Sequence, residues 1–418
     1  MRGTVLGGLL VAAVVVAAVL GQRLRKAEDA AQLVREARAV LAPPFARVPE
    51  LSAIGAQRAV QLLEDASARD PEPETQGLLA YAAALDELQK GRLDRSRKAL
   101  GQARAAARTG APLALLEAAI AQAAGEQARA ASLVQRALDQ APDEPRTRLL
   151  AADVAADAAD AGRALALLDG LIAQYPALGQ LHNRRGVARE LLGDAGGALA
   201  DFERASALSP ALPAPHLNRG RSLLSRGRAA EAEEAFSQAI ERGASFDAWL
   251  GRGLARLGQG DLAGARADVV RARELGPAQP GPLVALADLD VREGALAPGI
   301  ERYRAALALG ADDAVAWLKL GNALTRTHAL AEARAAFERA IQLSETMSAA
   351  HNGLGAVLLG LGDMAGAERA LDRAAELDEH DPNPLLNLAL LRDRHGDRQG
   401  ARAARELAAA RVPVVRVH

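Results

Sequence analysis

From Ala314 to Met347 the apolar side chains recur at the spacing that two short helices packed on each other require. Trp317, Leu320 and Leu324 fall on one face of a first helix, and Ala333, Phe337 and Ala340 on one face of a second. The small residues Gly321, Ala333 and Ala340 mark where the helices approach closely. This pattern predicts a first helix from Ala316 to Thr327 and a second from Leu330 to Leu343. It recurs in one register along the chain, in units that start at Gly77, Ala111, Pro145, Gly179, Pro213, Phe246, Pro280, Ala314, Ser348 and Pro382. Every step is 34 residues except the fifth unit, which has 33. The eighth position is small throughout, as at Ala84, Gly186, Gly220, Gly321 and Gly355. A glycine marks most inter-helix turns, among them Gly91, Gly193, Gly260 and Gly362, and Pro142, Pro176, Pro210 and Pro277 stop second helices.

The residues Trp317, Leu320-Gly321, Ala333, Phe337 and Ala340 at this period closely resemble the tetratricopeptide repeat. Leu324 stands where an aromatic is usual, and Glu345 where a proline is usual. The resemblance spans residues 77–415 and implies an all-α fold, a right-handed α-solenoid of about ten tandem repeats. It also implies that first-helix positions 2, 5, 9, 12 and 13 line a concave surface that binds proteins or peptides. In the last unit, Arg405 replaces the apolar residue that the other units carry at the seam, which reads as a terminal cap. Residues 416–418 form a tail. The stretch Val412-Pro413-Val414-Val415-Arg416-Val417 reads as extended and apolar, suited to folding back on the last helix or to offering a strand to a partner.

Upstream of the repeats, Gly3 to Gln22 contains no charged residue and is dense in Val, Leu and Ala. Twenty such residues match a bilayer core, so residues 1–23 are expected to be a transmembrane anchor, with a cleaved signal peptide as the rival. Arg23, Arg25 and Lys26 follow the span and Arg2 precedes it, which leans the repeats slightly towards the cytoplasmic rather than the periplasmic side of an inner membrane. Residues 24–76 read as a helical linker and cap. Leu24 to Leu41 is a polar helix, Pro43, Pro44 and Pro49 break it, and Ser52 to Arg69 resembles a second helix without its first.

Composition narrows the classes. Half of the residues are hydrophobic but only 2% are aromatic, so the apolar mass is Ala and Leu, suited to close-packed helices. The 51 basic and 52 acidic residues nearly cancel, which argues against nucleic acid as a partner. There is no cysteine, so disulfides and thiolate metal sites are excluded. Arginine far outnumbers lysine, pointing to a GC-rich bacterial genome. A homo-oligomer is compatible with all of this.

Motifs for chemistry are nearly absent, with no P-loop, nucleophile elbow or His-Glu-x-x-His, so no enzyme activity and no cofactor is expected. His182, His216 and His351 recur at the repeat position that Trp249 and Trp317 also occupy, and read as structural seam residues. Asp378, His380 and Asp381 read as a solvated, helix-capping turn rather than a metal site.

The candidate partner site is the inner face of units six to eight. Leu254, Leu257, Val284, Val291 and Leu318 are expected to form its apolar floor, and Arg292, Asn322 and Arg326 its polar contacts. Asp288 and Arg292, four apart, are expected to pair, and Arg326 has no acid nearby in its own unit. Some members of the family that the chain resembles carry a ladder of asparagines along this face; here Asn218 and Asn387 hold that position only in isolated units. The expected function is a membrane-anchored scaffold in a bacterial envelope assembly, binding protein or peptide ligands. One alternative is a regulator of envelope lipid or polysaccharide biosynthesis that recruits an enzyme or protease; another is a non-catalytic remnant subunit of a glycosyltransferase.

Overall fold

The computed structural model describes residues 26–39, 41, 53–106, 111–243, 245–310 and 313–411, and all regular structure among them is helical. Repeat 1 pairs Pro73–Gln89 with Leu93–Ala105, repeat 2 Ala111–Ala123 with Gln127–Gln140, and repeat 3 Pro145–Asp157 with Ala161–Gln174. Gly179–Leu191 and Ala195–Leu208 form repeat 4, and Pro213–Ser225 and Ala229–Glu241 repeat 5. Repeat 6 is Phe246–Gln259 with Leu262–Leu275, and repeat 7 Gly281–Arg292 with Leu296–Ala308. Ala314–Arg326 with Leu330–Leu343, Ser348–Leu361 with Met364–Leu377, and Asn383–Arg394 with Arg398–Arg411 complete repeats 8 to 10. The first helix of repeat 1 begins at Pro73, four residues before the spacing suggested, because a proline at the first helical position has its φ already fixed for a helix start.

Local signals place the helix ends. Gly193, Gly260, Gly362 and Gly396 sit at positive φ between the two helices of their repeats. The aspartate that follows each of the four then caps the second helix: Asp194, Asp261, Asp363 and Asp397 accept from the backbone N–H three residues on, at 2.8–2.9 Å. The second helices ending at Gln140, Gln174, Leu208 and Leu275 each stop two residues before a proline.

Within a repeat the two helices close on one bulky seam residue. Phe202, Phe236 and Phe337 are almost wholly buried. A Cβ added to Gly321 would lie 2.8 Å from the Phe337 ring, and one added to Gly353 of the next repeat 2.5 Å from it. The ring is therefore clamped between the first helices of two successive repeats, a burial worth about 1.5–3 kcal/mol. Second helices pack on their own first helix and on the next one, as Leu330–Leu343 does with Ala314–Arg326 and Ser348–Leu361.

The segment before the repeats departs from expectation. Residues 26–39 are not a free linker: Leu33, Val34 and Ala37 pack on Ala59, Leu62 and Leu63 of helix Ala53–Arg69 and on Leu78 and Ala82 of repeat 1. Arg69 pairs with Asp29 at 3.4 Å, and Arg38 with Glu74. Helix Ala53–Arg69 thus has a first helix after all, and the two form one further packed pair. Among the described residues no helix is long and apolar enough to cross a membrane; the stretch Gly3 to Gln22 and the tail from Val412 lie outside them. Cα packing divides the chain into two compact units, residues 1–218 and 219–418.

Candidate partner-binding face

The expected apolar floor is only partly open. Leu257 is buried, and Leu254, Val284, Val291 and Leu318 are half-buried. Leu254 packs into a cluster with Leu257, Ala285 and Leu289, which joins the first helices of repeats 6 and 7. Val284, Val291 and Leu318 pack against Leu320, Leu324 and Phe337, joining repeats 7 and 8. These side chains brace neighbouring helices, and of the expected floor Leu257 is closed to a partner.

The polar residues also find partners that the sequence did not reveal. Asp288 does not pair with Arg292. It accepts from Lys319 Nζ at 2.6 Å, one repeat on, and from Tyr303 Oη. Burial and this bond to Asp288 raise the Tyr303 phenol far above the usual tyrosine range. Arg292 Nη1 donates instead to the main-chain oxygen of Leu257 at 3.1 Å, and Arg326 Nη1 to that of Val291 at 3.2 Å. Arg394 repeats the contact on Leu359 O at 3.4 Å. The last carbonyls of a helix have no partner within it, and the helix dipole favours a cation there. An arginine thirty-five residues on therefore caps the first helix of the repeat before. Arg292 and Arg326 stay exposed, as does Asn322.

Other inner-face polar groups pair in the same inter-repeat way. Asn387 Nδ2 donates to Asn352 Oδ1 at 2.8 Å, and Asn218 Nδ2 to Asn183 Oδ1 at 3.1 Å. The two asparagines read as isolated are therefore each half of a bridge. His182 Nε2 lies 3.0 Å from Pro176 O, and His351 Nε2 3.1 Å from Glu345 O, so both tie the first helix to the turn before it. Asp378 Oδ1 accepts from the backbone N–H of His380 and Asp381 at 2.9 and 3.2 Å, and Arg411 clamps the same turn through Asp378 O and Asp381 O. Arg405 is exposed and pairs with Asp393, leaving Ala401, Ala404 and Ala408 to face the last first helix.

Sequence reasoning missed three buried carboxylates. Asp201 accepts from Arg185 at 2.7 and 2.9 Å and from Arg189 at 2.7 Å. Asp268 takes the same bonds from Arg252 (2.8 Å, twice) and Arg256 (2.9 Å). The bonds to Asp201 raise the Arg185 pKa above its usual value. In repeat 7 the polarity is reversed: Asp290 lies on the first helix and pairs with Arg302 on the second and with Arg266 at 2.9 Å. The signal was present as two arginines four apart, with an aspartate 12 residues after the second, at Arg185/Arg189/Asp201 and Arg252/Arg256/Asp268. A second feature missed is a cavity of about 340 Å³ lined by Leu41, Tyr81, Leu85, Leu115 and Leu149 and by the charged Arg146, Asp153 and Arg184.

Comparison with known proteins agrees with this geometry. The tetratricopeptide repeat family matches residues 217–280, 284–348 and 330–384. Those residues are similar to tetratricopeptide repeats. Among solved structures, the crystal structure of the APC/C hetero-tetramer Cut9-Hcn1 contains a similar chain, with a TM-score of 0.56 at 16% identity over 81% of this chain and 73% of that one. A tetratricopeptide repeat protein from Parabacteroides merdae matches at a TM-score of 0.48 and 17% identity, covering 60% of this chain and 99% of its own. MamA matches at a TM-score of 0.36 and 22% identity, over 38% of this chain and 93% of its own. No curated protein sequence matches. The fold is an all-helical array of helix pairs similar to those of tetratricopeptide repeats.

Proposed function

We propose that this chain is a membrane-anchored, non-catalytic adaptor that holds a partner protein or peptide on the first-helix face of repeats 6 to 8, within a bacterial envelope assembly. One observation carries the choice of face. Arg292 and Arg326 hold the same position in successive repeats, and each has one N–H fixed on a main-chain oxygen while the guanidinium stays exposed. A guanidinium held this way loses little freedom when it meets a carboxylate, which favours an acidic or C-terminal group on the partner. Asn322 lies on the helix face beside Arg326 and supplies a donor and an acceptor for a peptide backbone. The half-buried Leu254, Val284 and Leu318 offer an apolar surface between these polar contacts. Anchoring is supported by the uncharged stretch Gly3 to Gln22.

The test begins with recovery of the partner after membrane solubilisation, followed by its affinity for variants. Arg326→Glu removes a cation and adds repulsion, and should weaken binding by about 2–4 kcal/mol, roughly thirty-fold or more. The same change breaks the bond to Val291 O, so the melting temperature is measured alongside. Asn322→Ala touches no inter-repeat bond and should weaken binding without altering the melt. Unchanged affinity in both variants, with loss in Arg334→Glu on a second helix, would assign docking to the opposite face.

A further inference from the structure

The second helices carry a charge asymmetry that the partner face does not use. In repeats 1 to 3, three positions spaced three and four residues apart form one outward stripe on each second helix. They are Arg95, Lys98 and Gln102 in repeat 1, Arg129, Ser132 and Arg136 in repeat 2, and Arg163, Ala166 and Gly170 in repeat 3. The stripe holds five cations and no acid. In repeats 5 to 8 the same positions hold Glu231, Glu234, Glu301 and Glu332 against Arg271 and Arg339.

Most of the stripe is open and unneutralised. Its five cations are all exposed. Arg129 pairs with Glu126 at 2.9 Å, and Arg163 donates to Gln135 at 2.7 Å. Arg95, Lys98 and Arg136 have no carboxylate partner among the described residues, although Asp94 and Asp139 flank the stripe. Such a row would be screened in bulk solution but gains where an anionic surface lies within a Debye length, about 8–10 Å.

The chain itself indicates which anionic surface is near. The apolar stretch ends at Gln22, and the helix that packs on Ala53–Arg69 and on repeat 1 begins at Lys26, with contacts at Asp29 and Leu33. The few intervening residues reach at most about 14 Å. No spacer therefore holds these repeats away from a bilayer that residues 3–22 enter, and Arg23, Arg25 and Lys26 add three cations at the junction. We propose that the basic stripe on the second helices of repeats 1 to 3 rests on anionic lipid headgroups. This rests on the reading of residues 3–22 as a membrane span, and it assigns the side of repeats 1 to 3 that faces the bilayer. Each cation near such a surface raises partition roughly five-fold.

The absence of cysteine permits a direct test on the full chain. A single cysteine replaces Ser132, which is exposed on the stripe, and carries a fluorophore; phosphatidylcholine vesicles with or without phosphatidylglycerol carry a headgroup-level quencher. Flotation with both vesicle types, with quenching only in the anionic ones and lost at high salt and in Arg95→Glu/Lys98→Glu/Arg136→Glu, is the expected result. Those three side chains make no ion pair, so the triple variant should keep its melting temperature. Flotation with both but quenching equal or absent in both overturns the headgroup contact and leaves the span standing. Flotation with anionic vesicles alone, reversed by salt, supports the stripe and removes the span. Flotation with neither overturns both.

Discussion

At the scale of single residues, the fold depends on small side chains at set places. Gly321 faces the Phe337 ring so closely that a methyl group there would sit 2.8 Å from it, well inside contact distance. Gly321→Ala should cost about 1–3 kcal/mol by overpacking, measured by urea unfolding, despite the better helix propensity of alanine. The inter-helix turns impose the opposite demand, for backbone freedom. His328 holds φ 60 where Gly294 and Gly362 stand in the neighbouring repeats, and a side chain in that region costs about 1–2 kcal/mol. His328→Gly should therefore stabilise the fold by up to about 1 kcal/mol, read as a raised urea midpoint. A midpoint that fell would mean that the imidazole makes a compensating contact.

At the scale of helices, charge decides how neighbours are joined. Glu233 on the second helix of repeat 5 accepts from Arg256 at 2.8 Å and from Gln259 at 2.7 Å, both on the first helix of repeat 6. The Arg256 bond, aided by Gln259, holds the Glu233 carboxyl below its ordinary value of 4.5 even though partial burial opposes this. A carboxyl with a lowered folded pKa stabilises the fold above the ordinary glutamate range, and that contribution is lost as pH falls through the folded value. Acidification from neutral pH should thus lower the melting temperature less in Glu233→Gln than in the parent chain. Equal losses would place the acid sensitivity elsewhere.

At the scale of the molecule, the described repeats form chains of nearest-neighbour contacts, so damage should stay local. Phe337→Ala empties a site clamped by Gly321 and Gly353 and should cost about 3–5 kcal/mol. Amide exchange should rise in repeats 7 to 9 and remain unchanged in repeats 1 to 3. A uniform rise along the whole array would contradict one-dimensional coupling.

The helices and turns were legible in the sequence because the forces that make them are local. A bulky seam residue such as Phe337, a small residue opposite it, a turn glycine and a capping aspartate all lie within one 34-residue period and recur. The period could not supply the identity of each neighbour. Leu257 and Val291 read as part of the floor of a partner site, but Leu257 is buried and Val291 half-buried, because the next first helix packs over them. Arg326 read as unpartnered, yet its partner is a main-chain oxygen thirty-five residues back, and a backbone carbonyl leaves no trace in a residue pattern. Asp288 lay four residues from Arg292, but Lys319 and Tyr303 outcompete it from other helices. Helix 26–39 looked like a linker for the same reason: its Leu33, Val34 and Ala37 acquire meaning only once Leu62 and Leu63 stand opposite them. Periodicity decides which face of a helix is apolar, and only the tertiary stacking decides what covers that face and which groups remain for a partner.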